Sequence, residues 1–225
     1  MISASALIEA GVVDVAIAGG SDSLNRMTIN GFHSMGQLSA ERCMPFCRDR
    51  YGLNVGEGAG LVLLSRTPGP LALLGCGQSG DAWHITSPHP EGAVAEAAIR
   101  QALDMAGLRL QDVGYISLHG TATKTNDAIE AQVVRRIFGN VPCSSLKHLT
   151  GHTPGTAGIC GLIIAMLVLR DGLDLPRQDF SRPPPDPALA PCAFVRGVQK
   201  LQKSVVMFNS FAFGGNKAVL LAGLV

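Results

Sequence analysis

Seven short apolar runs alternate along this 225-residue chain with longer stretches of helical periodicity. The runs are Val12–Ala18, Ala59–Ser65, Leu71–Cys76, Val113–Leu118, Val141–Ser145, Ser204–Asn209 and Ala218–Ala222. They have the length and the aliphatic content of buried strands. Val12–Ala18, closed by Gly19 and Gly20, reads as a strand buried on both faces of a parallel sheet. Helices are expected between the runs. The first covers Ile2 to Ala10 and stops at Gly11. A second covers about Gly92 to Ala106, with Val94, Ala98, Ala102 and Met105 on one stripe. Asn126 can cap a third, whose Ile129, Val133 and Ile137 face the core before Gly139. The fourth runs from about Thr156 to Arg170. This alternation predicts an α/β fold with a layered, partly parallel sheet.

Thr67-Pro68-Gly69-Pro70 is the best candidate for a linker, and Pro176 to Pro191 reads as a surface stretch. The segment between Gly20 and Ala59 reads as loop-rich. One order of elements occurs twice: helix, glycine, strand, glycine pair, strand. It runs once from Ile2 to Ser65 and again from Thr156 to Ala222. The echo lies in the order of elements rather than in residue identity, and it supports a duplicated fold.

Composition removes several functions. Nearly half the residues are apolar and 16% are charged, which excludes disorder. A net charge of +1 with scattered Lys and Arg gives no footprint for nucleic acid. Six cysteines form no C-x-x-C pair, so no zinc site and no disulfide framework is expected. The longest uncharged run, Thr153 to Leu169, is short for a membrane span and opens on Pro154 and Gly155. A reduced, cytoplasmic protein with no membrane span is the expectation.

Four segments carry chemistry. Leu118-His119-Gly120-Thr121-Ala122-Thr123 sets a histidine at a strand end, before a glycine turn and two hydroxyls. Lys147-His148-Leu149-Thr150-Gly151-His152 sets a lysine and two histidines in the turn before an apolar helix. Asn209-Ser210-Phe211-Ala212-Phe213-Gly214-Gly215 joins aromatics to a flexible backbone, and Asp81 to Pro88 forms a polar loop containing Thr86. Ligands gather at strand ends of open α/β sheets, so the four positions are mutually consistent. A histidine at a strand end is also often a satisfied core residue. Lys147 alone could be an ordinary surface lysine, and Phe211 with Phe213 could be core packing. His148 and His152 have a metal pair's spacing, but Gly151 breaks any rigid helical face between them, so no metal is expected. His33, His84 and His89 read as structural.

Together these segments resemble the β-ketoacyl-ACP synthases. His119-Gly120-Thr121-x-Thr123 with Asp127 and Glu130 resembles their first histidine motif. Ser144-Ser145-x-Lys147-x-x-Thr150-Gly151-His152 resembles the second, and Asn209 to Gly215 the terminal one. Ala18-Gly19-Gly20 and Gly56-Glu57-Gly58-Ala59-Gly60 match as well. The resemblance implies a thiolase-like fold: residues 1–66 close the N-terminal ketosynthase half and residues 71–225 form the C-terminal half. It implies decarboxylative Claisen condensation of acyl and malonyl groups in fatty acid, polyketide or polyene synthesis. His119, His152 and Lys147 would be the catalytic set. Thr121, Thr123 and Thr86 would hold the phosphopantetheine arm, and Phe213 would gate the site. No cofactor is expected on the chain itself, because the phosphopantetheine belongs to an acyl carrier protein. The implied partners are that carrier and a second ketosynthase chain, in a homodimer or heterodimer.

The chain also departs from the family pattern. The family's nucleophilic cysteine is expected before Met1, and neither Cys143 nor Cys160 substitutes for it. Met44-Pro45-Phe46-Cys47 stands where Arg-Pro-aromatic-Asp is usual, and Pro154 where an aliphatic residue is usual. Gly161 stands where an acid is expected, and Asn216-Lys217 where the family has Thr-Asn. These departures imply a chain that does not condense acyl groups alone. The alternatives are a non-catalytic partner subunit, like a chain length factor, or a gene remnant.

Overall fold

A computed structural model describes residues 1–181 and 183–224. The chain runs α1 (Ile2–Glu9), β1 (Val15–Asp22), α2 (Arg26–Ser34), β2 (Gly58–Ser65), β3 (Leu71–Ser79) and α3 (Ala93–Ala106). It continues β4 (Tyr115–Ser117), α4 (Lys124–Phe138), β5 (Cys143–Ser144), α5 (Lys147–Thr150), α6 (Ala157–Asp171), β6 (Val205–Phe211) and β7 (Lys217–Leu224).

Five strands form one mixed sheet in the order β3-β7-β6-β4-β5. The β4 strand pairs in parallel with β5 and β6, whereas β7 runs antiparallel to β6 and β3. Apolar side chains of α3 and α4 fill one face of this sheet, around Ile99, Ala102, Val133, Val134 and Met207. The other face packs on α6 through Ile159, Leu162, Ala165, Val206 and Phe208. On the far side of α6 lies a second sheet, the antiparallel pair β1–β2. The α6 helix is apolar around its circumference because it is covered by both sheets, which is the setting such a sequence requires. Asp22, at the end of β1, joins the layers: both its carboxylate oxygens accept the Gly155 N–H, at 3.0 and 3.1 Å, and the Thr156 hydroxyl donates to it as well. A carboxylate at a helix N-terminus is favoured by the helix dipole.

Several expectations change. The first strand spans Val15–Asp22 rather than Val12–Ala18, and its partner is antiparallel. Only one of its faces is covered. Val15 and Ile17 of β1, with Leu61 and Leu63 of β2, point outward together, and Ile17 and Leu63 are 71% and 69% exposed. The segment expected as loop holds α2, capped by the Asn25 side chain accepting from Thr28 N–H at 2.9 Å. The buried stripe of α3 is Ala95, Ala98, Ile99, Ala102 and Leu103, and Met105 is exposed. Asn126 lies inside α4, which starts after Thr123. Pro176 to Pro191 is not a free surface stretch. Leu175, Gln178 and Val195 anchor this segment in the core, and Val195 N–H donates to Cys143 O at 3.0 Å. The repeated order of elements holds only for the strand pairs: both α1–β1–β2 and α6–β6–β7 end in an antiparallel pair, with α2 interrupting the first.

Candidate functional site

The loop after β4 is shaped by two buried carboxylates of α4. Glu130 Oε1 accepts the His119 N–H and Oε2 the Gly120 N–H, both at 2.8 Å, and Asn209 Nδ2 of β6 donates to Oε1 at 3.0 Å. Asp127 Oδ1 accepts from Thr121 and Ala122 N–H at 3.1 and 3.2 Å, and its Oδ2 accepts from Phe46 N–H at 2.8 Å. One turn of helix therefore holds four consecutive backbone N–H groups. The loop needs that hold, because Ala122 sits at φ 63, which costs a non-glycine residue on the order of 1–3 kcal/mol. Gly120, at φ 38, has no room for a Cβ, which would lie 2.5 Å from the Ser145 Cβ and 2.7 Å from the Phe46 ring. Burial raises the Glu130 carboxyl and pushes that of Asp127 up to about 7, against the pull of these bonds and of Arg50.

His119 meets Lys147 and His152 at the next layer. Lys147 is buried, not a surface residue, and opens the short helix α5. Its ammonium donates to the His119 carbonyl oxygen and lies 3.5 Å from His119 Nδ1. An ammonium only donates, so Nδ1 faces a donor and the ring carries its proton on Nε2. The His119 and His152 rings meet edge to face with centroids 5.8 Å apart, and Phe32 packs on His152 at 5.6 Å. Burial, then the Lys147 charge, drives His119 well below the ordinary imidazole range and His152 down to about 3. Both rings are neutral at physiological pH. Burial also lowers Lys147, to about 8, with Glu130 opposing the shift.

A cavity of about 580 Å3 opens in front of these rings. His119, His152, Thr121, Thr123, Thr86 and Phe213 all line it, so the fold collects in one place every expected site residue except Lys147, which lies behind His119. Phe213 is 42% exposed at its edge, whereas Phe211 is buried. A smaller void of about 30 Å3 lies on the other side of His119, bordered by Lys147, Gly161 and Asn209. Here Asn209 Oδ1 is buried without a partner. None of the six cysteines lines the large cavity. Burial pushes Cys43 and Cys47 up to about 12, away from thiolate chemistry. Among the described residues no group of three or more His, Cys, Asp or Glu side chains is set to hold a metal ion. No helix among them is long and apolar enough to cross a membrane.

Arg50 escaped the sequence reasoning. Its guanidinium bonds Asp186 at 2.6 Å and the Cys47 carbonyl at 2.9 Å, and its Nε lies 3.4 Å from Asp127. It thereby ties the segment before β2 to α4 and to the proline-rich segment. Only its tertiary partners distinguish it from the surface arginines. Lys217, one of the departures from the family pattern, also lines the cavity.

Comparison with known proteins places the chain in one family. Residues 1–68 match the family model described as beta-ketoacyl synthase, N-terminal domain, and residues 72–180 match beta-ketoacyl synthase, C-terminal domain. The chain is 36% identical to nodulation protein E of Rhizobium sp. (strain N33), over 95% of this chain and 55% of that protein. It is 33% identical to 3-oxoacyl-(acyl-carrier-protein) synthase 2 of Staphylococcus aureus, over 96% of this chain and 57% of that protein. It therefore spans little more than half the length of these relatives. In structure it is similar to a chain of a ketosynthase in complex with its chain length factor from Xenorhabdus doucetiae. There the TM-score is 0.98 and the identity 53%, covering 100% of this chain and 56% of that one.

Proposed function

The chain belongs to the β-ketoacyl synthase family, and we propose that it supplies the histidine half of an acyl-condensing site that works on pantetheine-borne thioesters. The observation that carries this reading is the pair of neutral, buried imidazoles facing one cavity, one with its proton directed to Nε2 by Lys147. In decarboxylative condensation the malonyl C–C bond to the carboxylate breaks, carbon dioxide leaves, and the electron pair moves onto the thioester oxygen as an enolate. Fixed N–H donors in a low-dielectric site stabilise that oxygen without reorganisation. Neutral imidazole suits this role, since it donates one hydrogen bond and needs no counter-ion. Thr121 and Thr123, whose hydroxyls lie 2.9 Å apart, together with Thr86, offer polar partners for the amides of a pantetheine arm. Phe213 stands at the mouth as the gate. The arm belongs to an acyl carrier protein, which is the proposed partner, and the chain itself carries no cofactor in this reading. Residues 1–66 act as the end of the N-terminal half and 71–225 as the C-terminal half.

The acyl-carrying nucleophile is not one of the six cysteines in this proposal, since all of them stand away from the cavity. The test is mass spectrometry of the chain after incubation with malonyl- and acyl-carrier protein. Malonyl loss without an acyl adduct, abolished in His119→Ala, is the expected result. An acyl adduct on any of the six cysteines refutes this assignment. The second reading is a partner subunit of a ketosynthase, favoured by the likeness to a ketosynthase and chain length factor assembly. It predicts no malonyl loss but a stable complex with an intact ketosynthase.

A further inference from the structure

The described lining of the large cavity holds three cationic side chains, Arg50, Lys124 and Lys217, and no carboxylate. Such a lining selects for an anion. Arg50 is already committed to Asp127 and Asp186. Lys124 is exposed at the start of α4. Lys217 differs from both. It is 3% exposed, forms no ion pair among the described residues, and donates a single hydrogen bond, to the Ala212 carbonyl at 3.3 Å. An ammonium has three donors, and buried donors without partners are costly. Asp81 lies on its other side, across a void of about 10 Å3 that both residues line. Its carboxylate opposes the effect of burial on the lysine and helps to keep it charged. Asp81 Oδ1 is taken by the Trp83 N–H at 3.1 Å, and Oδ2 has no partner. The Ala212 bond leaves two of the three lysine N–H groups without a partner among the described residues, beside a cavity that the same side chain lines.

We infer that Lys217 recognises the free carboxylate of a malonyl-type thioester, distinguishing it from a simple acyl thioester in the same cavity. The inference rests on the proposed binding of pantetheine thioesters. Two anions of such a ligand could meet a lysine: the malonyl carboxylate and the phosphate at the far end of the arm. The carboxylate lies two carbons from the thioester carbonyl that His119 and His152 receive. Lys217 shares that neighbourhood: it pairs with Phe211 across β6 and β7, the Phe211 ring lies 6.1 Å from that of His119, and all three line the cavity. The phosphate is many bonds away and belongs with the exposed Lys124. A cation beside the carboxylate stabilises the bound malonyl group rather than its decarboxylation, so Lys217 acts in selection and not in bond breaking.

Calorimetric titration with amide analogues of malonyl- and acetyl-pantetheine, which do not decarboxylate, tests this. One charge-assisted hydrogen bond predicts that the wild-type chain binds the malonyl analogue about tenfold more tightly. Lys217→Gln, which retains a donor for Ala212, should remove that preference and leave acetyl affinity unchanged. Lys217→Arg should keep it. A preference that survives in Lys217→Gln overturns the inference, as does a wild-type chain with no preference, whatever the variants do. Acetyl-4′-phosphopantetheine amide forms the third arm. If Lys217→Gln loses the increment due to phosphate instead, the anion is the phosphate and the malonyl assignment fails. If neither pantetheine amide binds the wild type, the thioester reading itself fails and this inference with it.

Discussion

The position of His119 is set by Glu130, whose carboxylate takes two backbone N–H groups and the Asn209 amide. Glu130→Gln turns one acceptor into a donor that faces a donor. Leaving such a buried group unmatched costs about 1–3 kcal/mol. Chemical denaturation should show that loss, and thioester binding should weaken along with it. His152 makes a pH-dependent prediction. Its folded value of about 3 lies below the ordinary 6.5, so beneath pH 6.5 the unfolded chain takes a proton that the folded chain refuses. Stability is lost through this group as pH falls from 6.5 toward 3, at about 1.4 kcal/mol per pH unit. Asp127, raised from 3.8 to about 7, works in the opposite direction over much of that window. The histidine contribution is therefore read as a difference. Between pH 6.5 and 5, wild type should lose about 2 kcal/mol relative to His152→Asn. A constant difference would mean that burial does not control this imidazole.

At the scale of elements, α6 shows how glycines divide between need and tolerance. Gly20 of β1 is required, because a Cβ there would lie 2.4 Å from the Gly155 carbonyl oxygen where the strand crosses the helix start. Gly161, in the body of α6, is not. A Cβ at this position meets the Phe208 ring at 3.4 Å and the Ser117 hydroxyl at 3.6 Å, both ordinary contacts. Replacing a mid-helix glycine by alanine favours the helix by about 0.5–1 kcal/mol. Gly161→Ala should raise the melting temperature, and a lowered one would show that the void beside Lys147 cannot take a methyl group. Much of this element was legible in the sequence: a continuous apolar run ended by Gly172 gave the helix to within a residue at each end. The α2 helix was not, because it is nine residues long and buries none of them fully, so no core-facing apolar run marks it, and its Asn25 cap is the clearest local signal.

Across the whole molecule, the two sheets are unequally covered. The five-stranded sheet is buried by helices on both faces, while Val15, Ile17, Leu61 and Leu63 of the two-stranded sheet form an apolar outer face. A contiguous apolar face of this kind drives association. The chain as it stands should self-associate, and the double variant Ile17→Lys, Leu61→Lys should shift it toward monomer in sedimentation velocity. Ile17 and Leu61 are 71% and 70% exposed, so the substitutions leave the layer against α6 untouched. If association is unchanged by the pair, another surface is responsible.

The sequence by itself determined the class of fold and singled out side chains that the structure gathers around one cavity. Strand and helix periodicities are local, and the histidine, lysine, threonine and phenylalanine motifs carry the resemblance to the family, from which their expected roles come. It could not decide that β1 pairs antiparallel with β2 and turns a face outward. A short apolar run looks the same whether one face or both will be covered, and the partner lies some forty residues away. Nor could it tell the Lys217 beneath the cavity, or the Arg50 between two carboxylates, from solvated cations. Burial and partnership belong to the packed chain, and they alone decide whether a charge is spent on water, on a neighbour or on a ligand.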